Sequence, residues 1–260
     1  MIKQPNPKIY IEQTIGSYSY KTVTTIDELN EAFKLRYQVF HREIIGKTEP
    51  EGVDTDKYDD ICDHLIIIEN KTKKIVGTYR LNCSTHSNTF FSSTEFQIQN
   101  ILKQDKIKLE LGRACIYEEY RKGAVILMLW RGIAEYMRKT EAKILFGCAT
   151  VVTNSPDESA LLYHYLKQKN QIDTKFDVVP TPDYEMKNIS QYIEKYNRPL
   201  TDDEMAKAKK ILPPLCEAYL NIGCLMSGIP AYDVAFDCID FLTILETEKL
   251  DQVFWKKIGG

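Results

Sequence analysis

Two β-rich runs joined by only four residues constrain the fold of this chain more than any other feature. The runs His64–Glu69 and Lys74–Cys83 contain mostly aliphatic, β-branched and aromatic side chains, and Asn70-Lys-Thr-Lys73 joins them. A link this short joins antiparallel strands, because parallel neighbours need a crossover of a dozen or more residues. The sequence therefore predicts a β-hairpin and disfavours a sheet built only from repeating βαβ units.

A helix is predicted before the hairpin. Thr25-Ile-Asp-Glu28 has the pattern of a capping box, which marks a helix N-terminus. In the helix that follows, Leu29, Phe33, Arg36 and Phe40 recur at spacings of four, three and four residues, so they share one stripe. Arg36 therefore lies within an apolar face, where a buried charge needs a partner.

The remaining periodic segments predict an α+β fold with a mixed, mostly antiparallel central sheet flanked by helices. They are a helical segment near Glu95–Gln104, a strand at Ile107–Tyr117, a helix at Arg121–Thr140, a strand at Lys143–Val151, a helix at Pro156–Lys169, a helix after Thr201 broken at Pro213-Pro214, and strands near Cys224 and at Cys238–Glu246. We expect one domain over residues 1–260, with a core at about 20–169, a loop insertion at about 170–205, and a C-terminal helix and strands at about 206–260.

Composition excludes several classes of protein. A net charge of −3 and a pI near 5.9 provide no basic field for nucleic acid. Seven cysteines without a C-x-x-C pair indicate buried thiols in a reducing compartment. Residues 1–20 lack the apolar core of a signal peptide, and Arg131 interrupts the longest apolar stretch. We therefore expect a cytoplasmic protein, or one peripheral on the inner face of a membrane.

Motifs for several kinds of chemistry are absent from the sequence. It contains no G-x-G-x-x-G, no P-loop, no H-E-x-x-H and no G-x-S-x-G. Asp54-x-Asp56 begins like a calcium loop, but Asp59 stands where that loop requires glycine. We accordingly expect no nucleotide cofactor and no metal site.

Glu110-Leu-Gly-Arg113 is the segment with the clearest potential for chemistry. In a regular strand Glu110 and Arg113 would face opposite sides of the sheet. A β-bulge at Gly112 would turn both towards one cleft. Arg80 lies on the preceding predicted strand, and the pair Asp56 and Asp59 precedes the hairpin.

These motifs resemble a known family. The run Arg36-Tyr-Gln-Val-Phe40, the pair Asp56 and Asp59, Gly77-x-x-Arg80-Leu81, Glu95-Phe96 and Glu110-Leu-Gly-Arg113 resemble the acyl-homoserine-lactone-synthase-like branch of the GNAT acyltransferases. Further segments are similar to the ornithine-lipid N-acyltransferases: Asp63-His64-Leu65, Tyr120-Arg121-x-Gly123-Ala124, Leu129-Trp130-x-Gly132, Phe146-Gly147-Cys148-Ala149, Leu212–Leu220, Pro230-Ala-Tyr-Asp233 and Asp240-Phe241. The resemblance covers about residues 30–165 and 210–246.

The resemblance implies a GNAT-like fold and transfer of a 3-hydroxyacyl group from acyl carrier protein to the α-amine of ornithine or a related amino acid. The product would be lyso-ornithine lipid. No cofactor is implied, because the carrier brings its own phosphopantetheine. Two alternatives stay open: an N-acyl amino acid or acyl-homoserine-lactone-type synthase with another amine acceptor, and a non-catalytic module that binds acyl groups or the carrier.

Residue roles follow from this resemblance and from residue chemistry. An ammonium must lose a proton before it attacks a thioester, so Glu110 is the candidate base. A bulge at Gly112 would offer backbone N–H groups to the oxyanion, and Arg80 or Arg113 suits a carboxylate. We predict Glu110 and Arg113 as catalytic residues. The predicted substrate-binding residues are Arg36, Phe40, Asp56, Asp59, Arg80 and Phe96.

Two interpretations of the charged residues remain open. Arg36, Arg80 and Arg113 could instead form structural ion pairs with Asp56, Asp59 and Glu110, and such a network could also shape a pocket. The segment Glu118–Ala124 has one glycine and two glutamates, which makes it a poor pyrophosphate site and favours a carrier-protein donor over coenzyme A. Basic residues that could contact the carrier are Arg121 and Lys122, together with Lys103, Lys106 and Lys108.

Overall fold

The computed structural model describes residues 4–46, 52–121 and 123–259. The strands are β1 (Glu12–Ile15), β2 (Tyr18–Thr22), β3 (Asp63–Glu69), β4 (Ile75–Cys83), β5 (Lys108–Ile116), β6 (Ile144–Val151), β7 (Ile172–Asp173), β8 (Leu225–Asp233) and β9 (Cys238–Glu246). The helices are α1 (Ile26–Tyr37), α2 (Ser92–Glu95), α3 (Gln99–Leu102), α4 (Ala124–Thr140), α5 (Pro156–Gln168), α6 (Ile189–Lys195), α7 (Asp202–Ile211), α8 (Pro214–Asn221) and α9 (Gln252–Lys257).

The chain divides into two compact units. The first contains residues 1–90, 107–143 and 252–260, and the second contains residues 91–106 and 144–251. That the whole chain acts as one acyltransferase domain stays a prediction.

The first unit is an antiparallel sheet in the order β1-β2-β3-β4-β5. On one face, α1 packs its apolar stripe against Ile66 of β3 and Cys115 of β5. On the other face, α4 approaches so closely that a Cβ at Gly132 would lie 2.7 Å from Leu65 Cδ1. The predicted hairpin is confirmed, since β3 and β4 pair antiparallel across the four-residue link.

The start of α1 follows the predicted capping box. The Thr25 hydroxyl accepts a hydrogen bond from the Glu28 backbone N–H, and the Glu28 carboxylate accepts one from the Thr25 N–H. The helix is shorter than its apolar stripe, because it passes into a π-helical turn at Gln38–Ile44. Phe40 therefore lies in this turn and not on the regular helix.

The second unit has the strand order β6-β9-β8-β7, with β7 parallel to β8 and the other pairs antiparallel. Side chains of β6, β8 and β9 pack with those of α5 and α8 in one apolar core. The segment predicted as a loop insertion at 170–205 contains β7, α6 and a 3₁₀ turn at Pro182–Tyr184, so it is more regular than expected.

Two local predictions are wrong. The helical segment near Glu95–Gln104 is two short helices, α2 and α3, because Phe96 has extended backbone angles. No element is predicted before Thr25, but β1 and β2 form there as a mostly polar antiparallel pair on one side of β3. Among the described residues, no helix is both long and apolar enough to cross a membrane.

Candidate active site

A β-bulge interrupts the pairing of β4 and β5 in the first unit. Arg80 is opposite Gly112 and Thr78 is opposite Cys115, so Arg113 and Ala114 together face Tyr79. Arg113 has a φ of 51°, in the left-handed region. The bulge predicted at Gly112 is therefore present, and the strained residue is Arg113 itself.

The extra residue changes which side of the sheet each side chain occupies. Glu110 is opposite Asn82, which places it on the same face as Arg80 two residues away. Beyond the bulge, Cys115 is opposite Thr78 and lies on this face as well, so the alternation returns Arg113 to it. Glu110 and Arg113 thus share the face covered by α1, as the sequence predicted.

Arg36 joins this face from α1 and is completely buried. Its guanidinium forms a bidentate pair with Asp59, with Nη1 2.7 Å from Oδ1 and Nη2 3.2 Å from Oδ2. Its Nε also donates to Asp54 Oδ1 at 2.7 Å. The partner that a buried arginine requires is therefore supplied by the acidic loop between α1 and β3.

Two further arginines close these contacts into a ring. Arg80 Nη1 donates to Asp59 Oδ1 at 3.0 Å and to Asp56 Oδ1 at 2.6 Å. Arg113 Nη2 donates to Asp56 Oδ2 at 2.9 Å, and its Nε lies 3.5 Å from Asp54 Oδ1. We call these six residues the arginine–aspartate ring: Arg36, Asp59, Arg80, Asp56, Arg113 and Asp54. Three positive and three negative charges balance within it.

Each arginine of the ring also contacts an aromatic side chain. The Arg36 guanidinium carbon is 5.0 Å from the Phe33 ring centroid, that of Arg80 is 5.6 Å from Tyr58, and that of Arg113 is 5.5 Å from Phe40. Guanidinium groups are attracted to aromatic faces at these distances. The π-helical turn that carries Phe40 thereby contributes directly to the position of Arg113.

The arginines of the ring keep Asp54 and Asp59 ionised. Burial opposes the charge on Asp59, but Arg36 and Arg80 outweigh it and hold the pKa of Asp59 at about 2. Burial also opposes ionisation of Asp54, and Arg36 and Arg113 again lower its pKa. Asp54 and Asp59 are therefore ionised at neutral pH.

Two histidines border the ring. His41 Nε2 is 3.0 Å from Asp54 Oδ2, and its imidazole stacks on Tyr37 with ring centroids 5.0 Å apart. His64 is buried beside Asp59, and desolvation lowers the pKa of His64 to about 4. His64 is accordingly neutral at physiological pH, although it lies 4.0 Å from the Asp59 carboxylate.

Glu110 is a buried carboxyl group near the ring, with 4% of its surface exposed. The buried thiol of Cys62 is close to Glu110, Arg80, Asp59 and Asp56, whose charges all act on it. Burial is the main cause that raises the pKa of Cys62 to about 12, so this thiol is not a nucleophile at neutral pH. Glu110 and the backbone of the bulge stay the predicted catalytic groups of this region.

The sheet face above Gly112 is open. A Cβ built on Gly112 would have no heavy atom within 4 Å, apart from its chain neighbours, and the residues from Leu111 to Ala114 are all half-buried. Glu110, the bulge and this open space are next to one another on one strand. A small acyl centre could enter here and meet both a carboxyl group and backbone donors.

Comparison with known proteins shows which family the chain resembles. Residues 35–131 match the model of the acetyltransferase (GNAT) domain. L-ornithine N(alpha)-acyltransferase of Rhizobium meliloti is 30% identical over 261 residues, covering 95% of this chain and 86% of the relative. The protein of the same name from Agrobacterium fabrum is 27% identical over 260 residues, covering 95% and 86%.

The chain belongs to the family of these L-ornithine N(alpha)-acyltransferases. The GNAT-like fold predicted from the sequence is confirmed, and the protein is an acyltransferase. Among solved structures, the chain is similar to FeeM, an N-acyl amino acid synthase from uncultured soil microbes, with 6% identity and a TM-score of 0.49. That similarity covers 92% of this chain and 93% of the other.

The GNAT domain match, residues 35–131, contains all of the residues that the sequence predicted to bind or react. The structure brings Arg36, Phe40, Arg80 and Arg113 together with two of the three ring aspartates, Asp56 and Asp59, that the sequence predicted. Lys122 of the carrier-binding prediction lies outside the described residues. Their individual roles stay predictions.

The other predicted residues lie outside the ring. Phe96 belongs to the second unit, where it is buried and forms a β-bridge with Pro180. Arg121 is partly exposed, donates to the Ile116 carbonyl and pairs with Glu43. Lys108 is buried at the start of β5, so the prediction that it contributes to a surface patch is wrong.

Sequence reasoning missed two members of the site. Asp54 was considered only as part of a calcium loop and His41 was given no role, whereas Asp54 contacts Arg36 and Arg113, and His41 contacts Asp54. The available signal was the Asp54-x-Asp56-x-x-Asp59 spacing, which supplies one carboxylate for each arginine.

In the second unit, Glu95, Asp233 and Asp240 bring carboxylate oxygens within 4.8 Å of one another.

Proposed function

We propose that this protein transfers a 3-hydroxyacyl group from acyl carrier protein to the α-amine of ornithine, giving lyso-ornithine lipid. The observation that carries the proposal is the placement of Glu110, the bulge and the open space at Gly112 on one sheet face. The names of the relatives support ornithine as the acceptor.

The first step removes a proton from the acceptor. An α-ammonium has no lone pair, so it must lose a proton before it can attack a thioester. The Glu110 carboxylate accepts that proton, directly or through one water molecule. Burial of Glu110 suits it for this role, because desolvation makes a carboxylate a stronger base.

The second step forms and then collapses a tetrahedral adduct. The amine nitrogen bonds to the thioester carbon, and backbone N–H groups at the Arg113–Ala114 bulge stabilise the resulting oxyanion. When the adduct collapses, the C–S bond breaks and the phosphopantetheine thiolate leaves. The thiolate takes up the proton that the attacking nitrogen loses, so the products are an amide and a thiol. Glu110 passes the proton of the first step to solvent and is again a carboxylate.

The remaining predicted residues shape the two substrate pockets. We assign Arg36, Asp56, Asp59 and Arg80 to the wall of the acceptor pocket, with Phe40 beside them. Phe96 lies in the second unit, and its substrate-binding role stays a prediction. The proposal requires no bound cofactor, because the donor brings its own phosphopantetheine.

The proposed donor is carrier-bound and not a coenzyme A thioester. Two glutamates, Glu118 and Glu119, occupy the 3₁₀ turn before α4, where a pyrophosphate would meet repulsion. Arg121 and Lys122 follow and would contact the acidic carrier. We place the reaction in the cytoplasm, at or near the inner face of the membrane that receives the product.

Mass spectrometry of total lipids tests this proposal directly. The wild-type protein and the Glu110→Gln variant are expressed in a host that lacks aminolipids. We expect a new lipid whose fragments contain ornithine and a 3-hydroxyacyl chain with the wild type, and a loss of at least about a hundredfold with the variant.

Other outcomes change or overturn the proposal. A new conjugate of a different amine would replace ornithine as the acceptor and retain the chemistry. No new lipid from folded wild-type protein, together with tight binding of acyl carrier protein in vitro, would favour a non-catalytic binding module. Normal product from Glu110→Gln would overturn the assignment of the base.

A further inference from the structure

We propose that Arg113 serves the reaction through its backbone, and that the arginine–aspartate ring holds it in the left-handed conformation that forms the bulge. Asp54 is then a positioning residue of the enzyme. The kinetic part of this inference rests on the proposed function, whereas its structural part does not.

The conformation of Arg113 needs an explanation. Its φ of 51° is one that side chains other than glycine rarely adopt. Gly112, the adjacent residue, could take such a conformation at little cost, yet its φ is not in this region. Arg113, with its long charged side chain, therefore takes the left-handed conformation, and contacts beyond the local backbone must stabilise it.

The contacts of the Arg113 side chain supply that stabilisation. Its guanidinium contacts Asp56 at 2.9 Å and Asp54 at 3.5 Å, and it covers the ring of Phe40. These partners come from the acidic loop and from the π-helical turn after α1, so two separate segments fix the side chain. A guanidinium held in this way anchors its own backbone more directly than it could bind an acceptor carboxylate.

Asp54 connects this anchor to the rest of the first unit. Its Oδ1 contacts both Arg36 and Arg113, and its Oδ2 is 3.0 Å from His41 Nε2. Its backbone N–H donates to the Phe33 carbonyl at 3.1 Å, which ties the loop to α1. Loss of the Asp54 charge would therefore weaken the contacts that hold the Arg113 side chain, but it would remove no group that touches the reacting atoms.

A pair of substitutions at one position separates backbone from side-chain function. Arg113→Gly and Arg113→Ala remove the same ring contacts, but only glycine takes a left-handed conformation without cost. We expect kcat of Arg113→Gly to exceed that of Arg113→Ala by about five- to thirtyfold, at a temperature where both are folded. KM for ornithine should be similar in the two variants.

Lys73 provides the matched control. It also has a left-handed conformation, with a φ of 62°, but lies in the turn between β3 and β4. Lys73→Gly and Lys73→Ala should differ in Tm, because the same backbone preference applies, while their kcat values should agree. A kcat difference at both positions would mean that general stability is responsible, which would overturn the inference.

Asp54→Asn tests the positioning role. It should lower kcat about fivefold or more in the wild-type background, and less than about twofold in the Arg113→Gly background, because glycine needs no side-chain anchor. Equal losses in the two backgrounds, or a rise in KM for ornithine alone, would contradict the positioning role. Equal kcat for Arg113→Gly and Arg113→Ala would assign Arg113 to side-chain binding instead.

The structural part has a separate readout. If the wild type acylates no ornithine, the proposed function fails and the kinetic part of the inference fails with it. Thermal unfolding still decides the structural part. Arg113→Gly should then unfold at a higher Tm than Arg113→Ala, and an equal or lower Tm would refute the need for a left-handed residue.

Discussion

Replacing Asp59 with asparagine removes one charge from the arginine–aspartate ring and leaves Arg36 and Arg80 without a shared carboxylate. Burial disfavours the charge on Asp59, but the two arginines lower the pKa of Asp59 from 3.8 to about 2. This difference corresponds to about 2 kcal/mol of folding stability at neutral pH. Breaking a buried ion pair by removing one partner typically costs about 3–5 kcal/mol, because a buried charge is left uncompensated.

We therefore expect Asp59→Asn to lower the free energy of unfolding by about 3–5 kcal/mol at pH 7. For a chain of this size that corresponds to a decrease in Tm of about 10 °C. Asp105→Asn is the matched control, because Asp105 is exposed and the same charge is removed. Denaturant unfolding followed by circular dichroism measures both variants.

The pH dependence gives a second check on the same residue. Because the pKa of Asp59 is lower in the folded protein, its stabilisation is present above pH 3.8 and is lost as the pH falls towards about 2. The wild type should lose stability in this window more steeply than Asp59→Asn. A destabilisation no larger than that of Asp105→Asn, or identical acid unfolding of the two proteins, would refute the description of the ring.

Two further predictions concern the open face and the buried histidine. Gly112→Ala should leave Tm nearly unchanged but lower kcat/KM, because its methyl group would enter the open space. As a control, Gly77→Ala should destabilise the fold by about 1–3 kcal/mol, because its Cβ would lie 2.9 Å from Val125 Cγ1. Equal activity of Gly112→Ala and the wild type would contradict use of that space by the substrate. Desolvation lowers the pKa of His64 to about 4, so on acidification the unfolded chain takes up a proton at this residue before the folded protein does. The free energy of unfolding should therefore fall as the pH drops from about 6.5 to 4. His64→Gln should make this fall less steep, and an unchanged pH dependence would contradict a buried neutral imidazole.

The local signals in the sequence are sufficient to predict much of the first unit. The capping box at Thr25 and the short link after Glu69 each determine structure through contacts between near neighbours. The bulge beside Gly112 could also be predicted, since only a bulge brings Glu110 and Arg113 to one face. The strands β1 and β2 could not, because their polar sequences form strands only when paired to β3.

The site was harder to predict than the fold. Asp56 and Asp59 were identified through the family resemblance. Asp54 was not among the residues that carry the resemblance, and only the fold brings it to Arg36 and Arg113. The π-helical turn is a second example: the helical period extends to Phe40, while the structure changes its winding at Gln38. Both features depend on the ring as a whole, whose members come from α1, a loop, β4 and β5.

The most direct test of the central claim is reconstitution with purified protein, 3-hydroxyacyl carrier protein and ornithine. Fragmentation mass spectrometry then identifies the acylated nitrogen, with Glu110→Gln as the matched variant. We predict amide formation at the α-nitrogen by the wild type, and a rate at least about a hundredfold lower for the variant. Acylation at the δ-nitrogen, or equal rates for the two proteins, would contradict the account.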